Sequence, residues 1–317
     1  MARTMTSSPT AKDQQIDQRP ATGYQAGWRD YYELTKPRVV ALLMLTAVVG
    51  MFLSTPGMVP WQVLTLGSLG MALAMAAAAA VNHVVDQRID AIMARTENRP
   101  IVRGKIGPQR ALIFAAVLSA LSMVILDVFI NRLTAVLTLF GIVGYAFIYT
   151  MYLKRATPQN IVIGGIAGAI PPLLGWTAVT NELHPHALLL VLIIFVWTPP
   201  HFWALAIHRR DEYAKAGIPM LPVTHGIEFT KTSVLHYTLL LLVASMLPFI
   251  TGMCGLIYGI SALALGVVFL YYAIKLKYNP NPGTAMKTFG YSIVYLMLLF
   301  VALLVDHYLP IIISPAT

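Results

Sequence analysis

Nine apolar stretches follow one another along this chain, each close to the ~20 residues that a helix needs to cross a bilayer. They cover residues 38–56, 60–83, 107–129, 132–151, 159–180, 186–207, 230–252, 255–275 and 286–309. Inside lipid the backbone must satisfy its own polar groups, and a run of this length does so as a helix. Composition agrees: 57% of the 317 residues are hydrophobic and only 11% are charged, where a soluble domain carries roughly 25%. The expectation is an all-α polytopic membrane protein with nine transmembrane helices.

The formal charge of +9 needs no nucleic acid to explain it. With the N-terminus in the cytoplasm, every one of the 22 Lys and Arg residues except Arg132 falls on the cytoplasmic side, as the positive-inside rule requires. The single cysteine, Cys254, excludes a disulfide framework within one chain. Residues 1–28 are polar and lack the apolar core of a secretory signal. They read as a flexible tail, with Asp13 and Asp17 making a poor transit peptide, and 29–317 as one transmembrane domain. On this topology the outer connections, such as "STPGMVP" and "TNELHPH", are short. The two long polar connections, about 84–106 and 208–229, both face the cytoplasm, so function is expected on that side.

Those two connections carry a weak repeat. At an offset of 122 residues Asp86 falls on His208, Asp90 on Glu212, Pro100 on Pro222 and Gly104 on Gly226, while Pro37 and Pro158 open helices 121 apart. Helices 1–4 and 5–8 would then be duplicates sharing one membrane orientation, with the two loops facing each other over one cavity.

The segment "VNHVVDQRID" follows directly on the apolar run "GMALAMAAAAA". Asn82, Asp86 and Asp90 recur every four residues, so on a helix they lie along one face about 6 Å apart. Two carboxylates and an amide oxygen suit a hard cation such as Mg²⁺, which also binds substrate phosphates. Balancing nearby arginines is the plainer role for loop acids, but the amide at the apolar boundary and the second loop favour a metal. In that loop His208 and Glu212 match Asp86 and Asp90, and the offset prefers Glu212 to its neighbour Asp211. Around both lie Arg95, Arg99, Arg103, Lys105, Lys154, Arg155, Arg209 and Arg210. Each can be topogenic, and each is also a donor for phosphate or carboxylate; Arg95, Arg99, Lys154 and Arg155 are the sharper candidates. Tyr145, Phe147, Tyr149, Tyr152, Trp197, Phe202 and Trp203 form either an interfacial belt or ring faces that stabilise a cation. His201 is open between a porphyrin ligand, a base and a hydrogen-bonded interfacial residue. In helix 5, Gly164, Gly165, Gly168 and Ala169 read as a close-packing face, and Pro171–Pro172 as a bend.

Four motifs together resemble the UbiA-type intramembrane prenyltransferases, and among them the protoheme IX farnesyltransferases: "LTKPRVV" at 34–40, "NHVVDQRIDAIMARTENRP" at 82–100, "YTMYLKRATPQNIVIGGIAGAIPPLLGW" at 149–176 and "WTPPHFWALAIHRRDEYAKAGIPMLPVTHG" at 197–226. The resemblance spans almost the whole chain after the tail. It implies nine helices around a central cavity in a cell inner membrane, with the active site facing the cytoplasm. It implies transfer of a farnesyl group from farnesyl diphosphate to a vinyl group of heme B with addition of water, Mg²⁺ as cofactor, and a heme A synthase or terminal oxidase assembly partner downstream. Carried over by position, Asn82, Asp86 and Asp90 hold Mg²⁺ and diphosphate, with Glu212 as the second acidic site; Lys154 joins them in catalysis. Substrate contacts fall to Arg95, Arg99, Arg155, Tyr149, His201, His208, Arg209, Arg210 and Asp211. The chain departs from the family twice. Asp86-Gln87-Arg88-Ile89-Asp90 has one acid fewer than the common Asp-Arg-Asp-Ile-Asp, and His208 stands where members with other acceptors often carry Asp. Competing readings are a prenyltransferase for a quinone or chlorophyll precursor, a heme-binding assembly factor without catalysis, and a secondary transporter. The last needs polar groups at mid-depth, whereas the ionisable residues here crowd one side.

Overall fold

The computed structural model describes residues 25–153, 156–279, 281 and 283–313. Most of the N-terminal tail, together with Lys154, Arg155 and the side chain of Phe147, lies outside the described residues.

Short helix α1 (Trp28–Leu34) meets α2 (Pro37–Leu53) at a bend of 52°. Between them Lys36 takes a left-handed conformation with φ of 49°, and Pro37 opens α2 where its fixed φ suits the first helical turn. A π segment, Val63–Gly67, leads into α3 (Ser68–Val85), and α4 (Gln87–Asp90) follows after Asp86. The next helix, α5 (Pro108–Ile125), passes into a second π segment, Leu126–Ile130. α6 (Arg132–Val143) starts at Asn131, whose side-chain oxygen accepts from the Thr134 N–H at 2.8 Å, and continues as a π segment over Gly144–Leu153. Helices α7 (Asn160–Ala169) and α8 (Pro171–Thr180) share one span, broken at Ile170 ahead of the two prolines. α9 (Pro185–His208) is followed by short α10 (Arg210–Lys215) and α11 (Leu221–Thr224), then by α12 (Ile227–Ile250), α13 (Leu256–Tyr278) and α14 (Gly283–Ile313).

Seven helices among the described residues are long and apolar enough to cross a membrane, and the bent α1–α2 pair makes an eighth if counted as one span. The expectation of nine is met less fully for two stretches. The 17 residues of α2 reach ~26 Å, short of a ~30 Å hydrocarbon core. The stretch at 132–151 is an apolar helix only over Arg132–Ala146.

α3 packs on α5, and α9 on α12, the pair that the 122-residue offset makes equivalent. α12, α13 and α14 stack in order, α14 returns to α9 and α2, and α2 lies on α8. The α2–α8 crossing depends on glycine: a Cβ on Gly50 would strike the Pro172 backbone, and one on Gly175 the Ala47 carbonyl. Without side chains there, two backbones approach closely, which is how helices gain packing energy in lipid. The outer faces are apolar as well. α5 exposes Ile113, Val117, Leu121 and Val124, a stripe at helical spacing that suits lipid rather than water.

Candidate active site

α3 carries the first motif to the end of the bundle. Its buried Ala76–Ala80 run lets neighbours close in, and Asn82, Asp86 and Asp90 are 4%, 2% and 4% exposed. The helical ladder holds across the break after α3: Asp86 N–H reaches the Asn82 carbonyl at 3.0 Å, and Asp90 N–H the Asp86 carbonyl at 2.8 Å. The three side chains therefore share one buried face. Gln87 leaves it, its amide donating to the Ile101 carbonyl at 3.4 Å, and Arg88 is exposed. Both positions at which the motif departs from the common acidic pattern thus lie off that face.

Burying two carboxylates demands compensation, and cations supply it. The Arg99 guanidinium pairs with Asp90. Lys36, placed by its left-handed backbone, donates its ammonium to Asn82 Oδ1. The amide of Asn82 donates to Asp86 Oδ2 at 2.8 Å and to Thr150 Oγ1 at 3.4 Å. Thr96 Oγ1 donates to the Asp90 carbonyl at 3.0 Å and ties down the turn. Tyr145 and Tyr149, with ring centroids 5.6 Å apart, both stand in the field of Asp86. The Tyr149 ring covers Gly164, and Thr198 of α9 packs on Gly165, so two glycines of α7 seat the residues lining this region.

The second loop folds onto the first. Ile89 and Met93 share an apolar cluster with Tyr213, Ile218, Met220 and Leu221, closed by Ile161 of α7 and Trp203 of α9. Burial pushes the Tyr213 phenol up, against the Arg95 and Arg209 guanidiniums that lower it and with Glu212, which adds to the rise. The two arginines and the glutamate thus all act on one buried hydroxyl, which in turn acts on Tyr149. Glu212 is held by Arg209, whose Nη1 lies 3.2 Å from each carboxylate oxygen. Arg210 turns away to the Pro222 carbonyl at 3.0 Å. The Asp211 side chain is 88% exposed and 3.6 Å from Arg210, and His208 is exposed at the end of α9.

Among the described residues no three His, Cys, Asp or Glu side chains converge. The expected set of Asn82, Asp86, Asp90 and Glu212 therefore divides into a buried triad and a separate, half-exposed carboxylate. The triad fits a hard divalent cation: it offers two carboxylates and an amide oxygen, and positive side chains already rest on Asn82 and Asp90. Sequence reasoning counted Lys36 only as topogenic and passed over Thr150, Tyr213 and His83. Its one available signal for Lys36 was the Lys-Pro pair at a helix start. His83, 3% exposed, has no hydrogen bond at either ring nitrogen and stands in the field of Lys36 and Arg99.

A helical membrane bundle with a buried acidic face at one end, ringed by cations and tyrosines, has the parts of an enzyme for lipid diphosphates. The chain belongs to the UbiA prenyltransferase family, which it matches over residues 43–304. Within that family it is 68% identical over 286 residues to the protoheme IX farnesyltransferase of Alcanivorax borkumensis, an alignment covering 90% of this chain and 94% of that one. Solved structures share the fold at lower identity. A digeranylgeranylglyceryl phosphate synthase superposes with a TM-score of 0.76 at 21% identity, covering 88% of this chain and 98% of that one. A UbiA homolog from Archaeoglobus fulgidus bound to GPP and Mg²⁺ gives 0.59 at 20% identity, covering 86% and 99%.

Proposed function

We propose that this protein transfers the farnesyl group of farnesyl diphosphate to a vinyl group of protoheme IX, with addition of water, giving heme O and diphosphate. The observation that carries this is the 68% identity to a protoheme IX farnesyltransferase across 90% of the chain. Asn82, Asp86 and Asp90 are the residues that would hold Mg²⁺; an Archaeoglobus fulgidus UbiA homolog has been solved with Mg²⁺ and GPP. Bound there, Mg²⁺ supplies positive charge to the departing diphosphate.

The chain's own groups do the rest. Lys36 and Arg99 add donors beside the acidic face, so charge building on the diphosphate oxygens meets preorganised cations. The bond between the farnesyl C1 and oxygen breaks with its electron pair leaving on diphosphate. Tyr145 and Tyr149 offer ring faces to the allylic cation. The vinyl π electrons then form the new carbon–carbon bond, and the resulting cation takes up water and releases a proton. Apolar packing around the site delays that water until carbon–carbon bonding is complete.

Lys154 and Arg155 extend the basic set, and Arg95, Arg209 and Glu212 around Tyr213 form its second side; His208, Arg210 and Asp211 are the outer contacts of that loop. The site faces the cytoplasm from a cell inner membrane, and a heme A synthase or oxidase assembly factor takes the product. Duplication of helices 1–4 as 5–8 accounts for the paired loops, supported by left-handed Gly104 (φ 67°) and Gly226 (φ 85°) at the 122-residue offset. Purified protein incubated with heme B, farnesyl diphosphate and Mg²⁺ should yield, by mass spectrometry, heme enlarged by a farnesyl group and water. Prenylation of a quinone precursor with no heme product overturns the assignment.

A further inference from the structure

His201 lies inside α9, seven residues before His208 and so ~10 Å from the helix end, and is 7% exposed. Trp197 stacks on one face of its ring (centroids 4.2 Å, planes 19°) and Phe289 on the other (4.5 Å, 27°), with Phe202 edge-on at 4.8 Å. Clamped on both faces, the imidazole keeps one orientation and offers only its edge. The Trp197 indole N–H donates to the Ser292 carbonyl at 2.7 Å, so α14 fixes the clamp as well as the ring.

The hydrogen bonds also fix the tautomer. Ser292 Oγ lies 2.6 Å from the Phe289 carbonyl oxygen and 2.6 Å from His201 Nδ1. Two oxygens that close need a hydrogen between them, and only the serine hydroxyl can supply it. With that hydrogen directed at Phe289, Ser292 can only accept from His201, so Nδ1 carries the ring N–H. In the neutral ring the lone pair then sits on Nε2, the nitrogen that the serine does not engage. An intramembrane ionisable residue marks function by default.

A neutral imidazole whose Nδ1–H is held by an acceptor keeps its lone pair on Nε2, which is how histidine is prepared for a metal. We propose that His201 Nε2 ligates the iron of the porphyrin substrate, with Ser292, Trp197 and Phe289 as positioning residues. The assignment rests on protoheme being the acceptor. It sets the iron inside the apolar layer, below the end of the bundle where the diphosphate is held. A path of contacts joins the two sites: Tyr149 over Gly164, Gly165 against Thr198, and Thr198 one turn before His201. A vinyl group can then approach the farnesyl C1 while the iron is anchored.

The test titrates ferric protoheme IX alone into the full-length wild type, His201→Ala and Ser292→Ala, following absorption and electron paramagnetic resonance. Wild type should give a nitrogen-ligated spectrum. His201→Ala should lose it and regain it when imidazole is added, while still binding farnesyl diphosphate as wild type does. Ser292→Ala keeps the ligand but frees its tautomer, and heme affinity should fall roughly 10-fold or more. In turnover, wild type should have a lower KM for protoheme than for metal-free protoporphyrin IX, and His201→Ala should lose that preference. A His201→Ala variant with the wild-type spectrum, or with the wild-type preference for iron, overturns the ligand assignment. Nitrogen ligation by wild type without farnesylated product would instead overturn the proposed reaction and leave the ligand assignment standing.

Discussion

Asp86→Asn separates the charge of the acidic face from its packing. Asp86 is 2% exposed and accepts the Asn82 amide at 2.8 Å. Asparagine has the same shape, and its oxygen can accept the same bond. Exchanging an ionised acceptor for a neutral one costs about 1 kcal/mol, partly offset because a charge no longer has to be buried, so stability should move little. Turnover should not be spared. If Asp86 provides charge for the cation that neutralises diphosphate, its loss falls on the transition state, where removing one preorganised electrostatic group costs roughly 10²–10³ in kcat. Initial rates of heme farnesylation by liquid chromatography and mass spectrometry, with thermal melting of the same preparation, measure both quantities. A variant that melts like wild type and turns over within about threefold of it refutes the role of Asp86.

Four further outcomes follow from other contacts. Asp90→Asn should lose stability as well as activity, by ~3–5 kcal/mol or somewhat less, because the Arg99 side chain, 18% exposed, is left without its counter-charge; denaturation of the detergent-solubilised variant measures it. Glu212→Gln should lower the rate by no more than roughly fivefold, since a half-exposed pair is worth at most about 1 kcal/mol; a loss as large as that of Asp86→Asn would place Glu212 on the metal after all. Gly175→Ala should destabilise by at least ~1–3 kcal/mol, because its methyl group would enter the Ala47 carbonyl; an unchanged melting temperature would show that α2 and α8 can separate. Burial, and then the charge of Asp306, push the Cys254 thiol up to about 12. The thiolate is therefore scarce below that pH, so a maleimide at pH 8 should label the protein only after unfolding, and rapid labelling of folded protein contradicts the burial.

Much of the fold was legible because lipid imposes one rule on every span: length and apolarity suffice, and most of the long helices end within three residues of the limits read from composition. The two exceptions differ in cause. Both stretches are apolar enough, but α2 stops at Leu53 and gives way to a turn, while past Val143 the other passes into a π segment, a change of hydrogen bonding that hydropathy does not register. In the site, Asn82, Asp86 and Asp90 were legible because helical periodicity alone puts them on one face. Lys36 and Thr150 were not, since contacts across 46 and 68 residues leave no periodic trace. The second acidic site was read from an offset that locates backbone positions but not side-chain directions. That is why Glu212 appears at the expected place yet bonds to Arg209.

The division between the two loops bears on how the enzyme works. Had Glu212 joined Asp86 and Asp90, three carboxylates would share one buried volume and repel each other strongly without a metal. Instead the loops are held together by apolar contacts, Ile89 and Met93 against Tyr213, Met220 and Leu221, which need no ion. Docking of the loops therefore needs no cation at the acidic face, where Arg99 pairs with Asp90 and Lys36 with the Asn82 amide oxygen. If diphosphate drew those two cations toward itself, the Asn82 and Asp90 oxygens that would hold Mg²⁺ would be uncovered. Anion and metal would then bind cooperatively, each lowering the cost of the other.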